Sequence, residues 1–238
     1  MKTRIIGIVL AFFMTSLMAC SLPLKKIKGS GNVIEETRQL KSFHAIDVGG
    51  AFEVELIKSN EEKIVVETDD NIMPFIETYV ISGELRIQST KELNSPTELK
   101  LSIYFRSIDE LDLSGAASLY SSDMIEASNF ELDCSGASEL TLKIDVDNLE
   151  GDFSGASKIE LEGNAKTAEL DLSGASVLRA YGLEIESLEL GASGAAQVKV
   201  LVLDQLSVDA SGASSIRYKG EPTLDIKDIS GASSFRKG

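Results

Sequence analysis

Carboxylates recur through the second half of this 238-residue chain at an interval of about nineteen positions. Asp112, Asp133, Asp152, Asp171, Asp209 and Asp228 form one set. Glu110, Glu131, Glu150 and Glu169 stand two residues ahead of the first four, and Glu189 two ahead of Gly191, which interrupts the set. If the fold brings each set into one row, three chemistries are open. Adjacent carboxylates could supply oxygen ligands to Ca²⁺. A pair could act as acid and base on a glycan. The row could also be a solvated face that recognises a partner, each carboxylate bonded to nearby serines or backbone amides. Stacked strands lie ~4.8 Å apart, and like charges that close must be compensated or resist ionisation.

Other reactive types are sparse. His44 is the one histidine and Cys134 the one thiol beyond the first twenty residues, so neither a nucleophile–base triad nor a Cys/His zinc set can be assembled. Cys134 stands where other repeats carry Leu, Phe or Ile, which reads as a buried apolar position. No phosphate-binding glycine motif is present. The expectation is that the chain has no catalytic residues and no resident cofactor, Ca²⁺ being the lesser alternative.

What would line the carboxylates up is a repeat. Ser-Gly-Ala-Ser and its near copies begin at Ser114, Ser135, Ser154, Ser173, Ser193, Ser211 and Ser230, at intervals of 21, 19, 19, 20, 18 and 19. Seven copies at that period mark stacked coils. Counting from each serine, apolar residues hold −3, −1 and +5 while acids hold −4 and −2, an alternation of period two that reads as strand. Gly115, Gly136, Gly155, Gly174, Gly194, Gly212 and Gly231 follow the serines, with Gly50 in the same role in an earlier, divergent copy. They are expected to turn the corner between strands, each followed by an alanine small enough to stack on its counterpart. One unit cannot stand alone. About five buried aliphatic side chains contribute roughly 10 kcal/mol, and ordering nineteen residues costs nearly three times that at ~1.5 kcal/mol each. The fold class is therefore all-β, a parallel β-helix of ~19-residue coils.

The chain divides into three. Residues 1–19 read as a signal peptide, with Lys2 and Arg4 ahead of an apolar run from Ile5 to Leu17. The following Leu17-Met18-Ala19-Cys20 resembles the bacterial lipoprotein signal, which implies lipidation of Cys20 and anchoring in the outer membrane, facing the periplasm or the cell surface. Residues 20–30 read as a tether whose lysines could lie against anionic lipid. Residues 31–238 read as a single domain, with irregular N-terminal coils over 31–110 and the repeats over 111–238. One short helix is expected after the caps Asp70 or Asn71, with Pro74 in its first turn, and a loop over Thr90–Glu98. Removing the leader takes Lys2 and Arg4 from the 23 basic residues against 38 acidic ones, so the mature chain is near −17. That charge argues against nucleic acid.

The landmarks Gly29-Ser30-Gly31-Asn32-Val33, Phe43-His44-Ala45-Ile46-Asp47-Val48, Gly49-Gly50-Ala51-Phe52 and Asp69-Asp70-Asn71-Ile72-Met73-Pro74-Phe75-Ile76, with the repeats, resemble the autotransporter-adhesin head domain, or GIN domain, of Bacteroidetes. The resemblance covers residues 28–238. It implies a right-handed β-superhelix of two sheets, no known catalytic residues, and a role in adhesion. The expected function is a non-enzymatic envelope lipoprotein that binds a carbohydrate or protein ligand through a repetitive sheet face. A periplasm-facing structural or lipid-binding lipoprotein and a polysaccharide-active β-helix enzyme are the alternatives; at the last coil either Arg236 and Lys237 guard the open edge or two chains meet there as a homo-oligomer.

Overall fold

The computed structural model describes residues 26–238; the expected signal peptide, Cys20 and the start of the tether lie outside the described residues. Eighteen strands follow one another: β1 (Ile27–Lys28), β2 (Val33–Gln39), β3 (Ala45–Gly50), β4 (Glu53–Lys58), β5 (Lys63–Asp69), β6 (Ile76–Ile81), β7 (Glu84–Ser89), β8 (Leu93–Asn94) and β9 (Leu99–Phe105). Then come β10 (Glu110–Gly115), β11 (Ser118–Cys134), β12 (Glu139–Phe153), β13 (Lys158–Leu172), β14 (Val177–Ala192), β15 (Gln197–Ala210), β16 (Ser215–Lys219), β17 (Thr223–Ile229) and β18 (Ser234–Lys237). From β10 onward every pairing is parallel and joins a coil to the one before it, as in β12 on β11 and β13 on β12. This is a β-solenoid of about seven ~19-residue coils.

Repeats at unequal intervals stay in register because the surplus leaves the ladder as bulges. The 21-residue interval after Ser114 is absorbed between Tyr120 and Met124. There the buried Ser121 hydroxyl donates to the Leu56 carbonyl at 3.0 Å, which ties the bulge down. The 20- and 18-residue intervals are absorbed beside Glu160 and Ala180.

Side chains alternate between solvent and a continuous core running from Phe43 to Ile216. Inward rows stack like on like: Leu119, Leu140, Ile159, Leu178, Val198 and Ile216 are all at most 2% exposed. One coil departs from the pattern without opening a void. Gly151 stands in register with Leu132 and Leu170, and a Cβ there would lie 2.7 Å from the Phe153 ring. The phenyl group fills the volume that leucine fills in other coils, keeping the core at crystal-like density.

The corners explain the invariance of glycine. Gly174 has φ +68°, where a side chain is strained, and a Cβ would stand 2.5 Å from the Gly155 carbonyl oxygen of the preceding coil. That carbonyl accepts a hydrogen bond from the Ala175 amide at 2.7 Å, and the same bond recurs at each corner. The alanines lie on the solvent side of the corner. The residue after each turns inward, so that Ala117, Ser138, Ser157, Ser176, Ala196 and Ser214 form a buried row of small side chains.

The N-terminal part closes its end of the solenoid with antiparallel strands. β3 and β4 continue the parallel stack onto β10 and β11, while β6 runs antiparallel to β7, and β5 antiparallel to both β9 and β2. The expected helix is corrected here to a three-residue 3₁₀ turn, Met73–Phe75, with no side-chain cap. Its capping candidates are engaged elsewhere. The Asn71 side-chain oxygen accepts from the Ser30 amide and its NH₂ donates to the Lys28 carbonyl, while Asp70 accepts from Ser30 and Asn32. Asp69 is fully buried: burial opposes its charge, but donors from Thr97 and the Gly31 amide outweigh that and hold its pKa below the ordinary value. The expected tether is thus drawn into the fold from Ile27, where β1 pairs with β8 inside the stretch expected to be a loop.

Replacing Gly174 by Val should destabilise the chain by more than ~3 kcal/mol, through the left-handed backbone and overpacking against the coil behind. Gly31 also has positive φ, but no atom lies near its missing Cβ. Gly31→Ala should therefore cost only about 1–2 kcal/mol. Thermal melting of the two variants checks the difference, and equal losses would mean that the corner contact is not limiting.

Candidate functional site

Strand register turns the periodic carboxylates into rows. Asp112, Asp133, Asp152 and Asp171 pair in order on successive coils, Gly191 interrupts, and Asp209 and Asp228 resume. The row also begins earlier than the repeat suggests, since Asp47 on β3 is the register partner of Asp112. Gly49 stands two residues after Asp47 where the repeats carry serine, so this coil lacks the serine that marks the later members of the row. The glutamates make a second row from Glu110 to Glu189, continued by Ser207 and Asp225.

A third row escaped the sequence reading. Asn129, Asn148, Thr167, Ser187, Gln205 and Thr223 stand in register two residues further from the corner than the glutamates. The signal was present, since the first five lie six residues before a repeat serine, but mixed amides and hydroxyls do not catch the eye as a run of aspartates does. Their side chains link between coils: the Asn148 NH₂ donates to the Asn129 oxygen at 2.9 Å and the Thr167 hydroxyl to the Asn148 oxygen at 2.6 Å. The polar and glutamate rows line one groove of about 1040 Å³, which crosses seven coils from Asp109 to Asp225 along the solenoid axis. Its walls offer donors, acceptors and carboxylates, repeated at the coil spacing of ~4.8 Å.

Crowding raises the pKa values of several acids in these rows. Asp112 is pushed from 3.8 to about 6, first by burial and then by Asp47, Asp133 and Glu110. Asp47, Asp133, Asp171 and Glu131 are raised for the same two reasons, burial first. Among the described residues no three His, Cys, Asp or Glu side chains converge to hold a metal ion.

The remaining reactive candidates sit beside the carboxylate rows without joining them: Cys134 follows Asp133 but turns inward, and Asp109, which holds His44, precedes Glu110 at the end of the groove. Cys134 is buried beside Ser138, and burial pushes its thiol up to about 12, which leaves no thiolate at neutral pH. His44 is half exposed and its Nδ1 lies 2.8 Å from an Asp109 carboxylate oxygen. Among the described residues no hydroxyl or thiol bonds to its other nitrogen, so the pair lacks a nucleophile.

A family model described as "Putative auto-transporter adhesin, head GIN domain" matches residues 42–222. No curated protein matches the chain. Solved structures that share the fold include three from Bacteroides and Parabacteroides. A putative adhesin from Bacteroides fragilis is 20% identical with a TM-score of 0.79, over 89% of this chain and 99% of its own. A putative lipid binding protein from Parabacteroides distasonis is 20% identical at 0.72, over 90% and 100%. A putative adhesin from Parabacteroides merdae is 18% identical at 0.70, over 90% and 99%.

The aspartate row has a measurable sign. A folded-state pKa above the unfolded value means that the folded chain binds the extra proton between pH 3.8 and about 6. Stability from Asp112 is then complete below that window and is lost as pH rises through it. Asp112→Asn should stabilise the fold at pH 7.5 by about 1–2 kcal/mol after allowance for solvent screening, read as a higher melting temperature. The gain should shrink toward pH 4.5. A lower melting temperature at pH 7.5 would mean that the carboxylate is held by bonds that favour its charge.

Proposed function

Because the chain belongs to the auto-transporter adhesin head GIN domain family, we propose that it is a non-enzymatic adhesive binding module of the cell envelope. In this reading Cys20 carries the lipid anchor in the outer membrane, and the groove across the coils receives a linear ligand. The observation that carries the reading is the groove itself, with the same hydrogen-bonding rows repeated over six coils. Amides, hydroxyls and carboxylates at fixed spacing suit an uncharged, hydroxyl-rich polymer lying along the axis. An anionic polymer would meet the glutamate row, and a net charge of −15 repels it further. Ca²⁺ on the aspartate row remains a separate proposal, which a melting titration with the metal alone tests.

Catalysis is not part of the proposal. Acid–base work on a glycan needs two carboxylates in unlike environments. Here like carboxylates stack on neighbouring coils, with Asp112 alone lifted to about 6, and the His44–Asp109 pair has no nucleophile among the described residues. Lipid binding, the description carried by the Parabacteroides distasonis neighbour, would require an apolar lumen. The space between the strands is instead filled by the inward rows, most of them at most 4% exposed.

Two measurements check the reading. A panel of neutral polysaccharides should yield a binder whose affinity falls about tenfold when Asn148→Ala and Thr167→Ala are combined, the loss of two modest hydrogen bonds. Full affinity in that variant would place the ligand outside the groove, and new reducing ends on the bound polymer would restore the enzyme alternative. In cells, Cys20→Ser should move the protein from the membrane to the aqueous fraction, and protease treatment of intact cells then reports which face the anchored chain occupies.

A further inference from the structure

Outward side chains on the strand leaving each corner form another register row, six residues after each repeat serine, and this row changes character along the axis. It runs Tyr120, Thr141 and Glu160, then Arg179, Lys199, Arg217 and Arg236. The four cations stand on successive coils and all are exposed. Lysines elsewhere on the coils have carboxylate partners, as in Lys158 with Glu139, Lys166 with Asp147 and Lys227 with Asp225. None of the four lies within ion-pairing distance of a carboxylate among the described residues. Beside them Lys219 sits over the Tyr181 ring at 4.4 Å, adding a fifth positive charge. Arg179 has acidic company, since Glu160 is its register partner and Glu139 feels its charge, whereas Lys199, Arg217 and Arg236 are left without a paired carboxylate among the described residues on a chain of net charge −15.

The aspartate row has the opposite defect. Asp47, Asp112, Asp133, Asp152 and Asp171 stack on five successive coils; Arg86, the register partner of Asp47, offsets the charge at that end, and the four aspartates beyond it have no ion-paired cation among the described residues. The two rows lie on different strand segments, one entering the corner and one leaving it. They share a single pitch, because the same backbone ladder of ~4.8 Å sets both. We propose that the strip Arg179–Lys199–Arg217–Arg236 docks on the aspartate row of a second copy of this chain. Four cations meet four anions in step, with no adjustment of either backbone. Arginine adds a fork that fits a carboxylate bidentately.

A flexible polyanion could also meet the strip, but it would have to order its links to that pitch, whereas a neighbouring solenoid is already ordered. The net negative charge of both copies opposes their approach at long range. At ~0.15 M salt the Debye length is about 8 Å, so contact pairs survive while the long-range repulsion is damped. The contact is heterologous, strip to row, and every added copy offers a free strip or a free row. Association should therefore continue past the dimer.

The test is sedimentation velocity on residues 21–238, which contain every described strand. At ~0.15 M salt the weight-average mass should rise with concentration to at least about twice that of the monomer, and return toward the monomer at ~1 M salt, where the Debye length is about 3 Å. Combining Lys199→Glu with Arg217→Glu should abolish the rise, and so should combining Asp133→Lys with Asp152→Lys, each with circular dichroism to establish folding. The decisive arm mixes the two variants: neither associates alone, but together they offer an intact strip and an intact row, and association should return. A wild-type monomer at every concentration overturns the proposal, as does association that survives the strip reversal. Failure of the mixture to associate, with both variants folded, does the same. Retention of the monomeric chain on heparin or on phosphatidylglycerol vesicles, lost on strip reversal, would assign the strip to a polyanion or a membrane instead.

Discussion

A hydrogen bond about 2.7 Å long, from the alanine amide of one corner to the glycine carbonyl of the corner before it, is the contact on which this structure depends. It brings two backbones closer than any side chain allows, so the position must be glycine, and glycine alone takes the positive φ without strain. Because the bond links equivalent atoms of successive coils, it fixes the register of each new coil as well as its direction. Insertions cannot shift that register. They are expelled as bulges, as at Ser121–Asp123, where the hydroxyl of Ser121 repairs the backbone it interrupts.

Strict register has a consequence for the surface. In a sheet whose strands come from unrelated segments, neighbours can be chosen to complement one another. In a solenoid each outward position meets its own image above and below. One residue choice, repeated, becomes a row, and a charged choice becomes a row of like charge. Burial and repulsion lift Asp112 to about 6, a fold-weakening arrangement at neutral pH that makes sense where the rows face something outside the molecule. The groove and the cation strip arise in the same way, the first from polar residues at one position and the second from basic residues at another.

The end of the solenoid nearest the membrane in the proposed anchoring is built differently. Antiparallel strands and a clasp around buried Asp69 replace the corner bond, and the clasp reaches back to Gly29–Asn32. A Cβ on Gly29 would collide with the Asp69 carboxylate, which explains that glycine without any turn. One buried, fully bonded carboxylate thus joins the start of the fold to the loop before β9.

Period and alternation alone determined the architecture. Seven glycines at about nineteen residues, with apolar positions two apart, admit stacked strands and little else, and a lone histidine and thiol argue against a triad or a Cys/His zinc set. The 3₁₀ turn at Met73–Phe75 was not legible, because Asp70 and Asn71 are good helix caps locally and only the returning N-terminal segment claims them. The amide–hydroxyl row and the cation strip were in the sequence as residues at −6 and +6, unrecognised as sites, since a spacing says which residues stack but not which stacks lie beside one another or lack partners. Ion pairing, groove walls and burial depend on side chains that are distant along the chain and adjacent across coils, and only the tertiary structure brings them together.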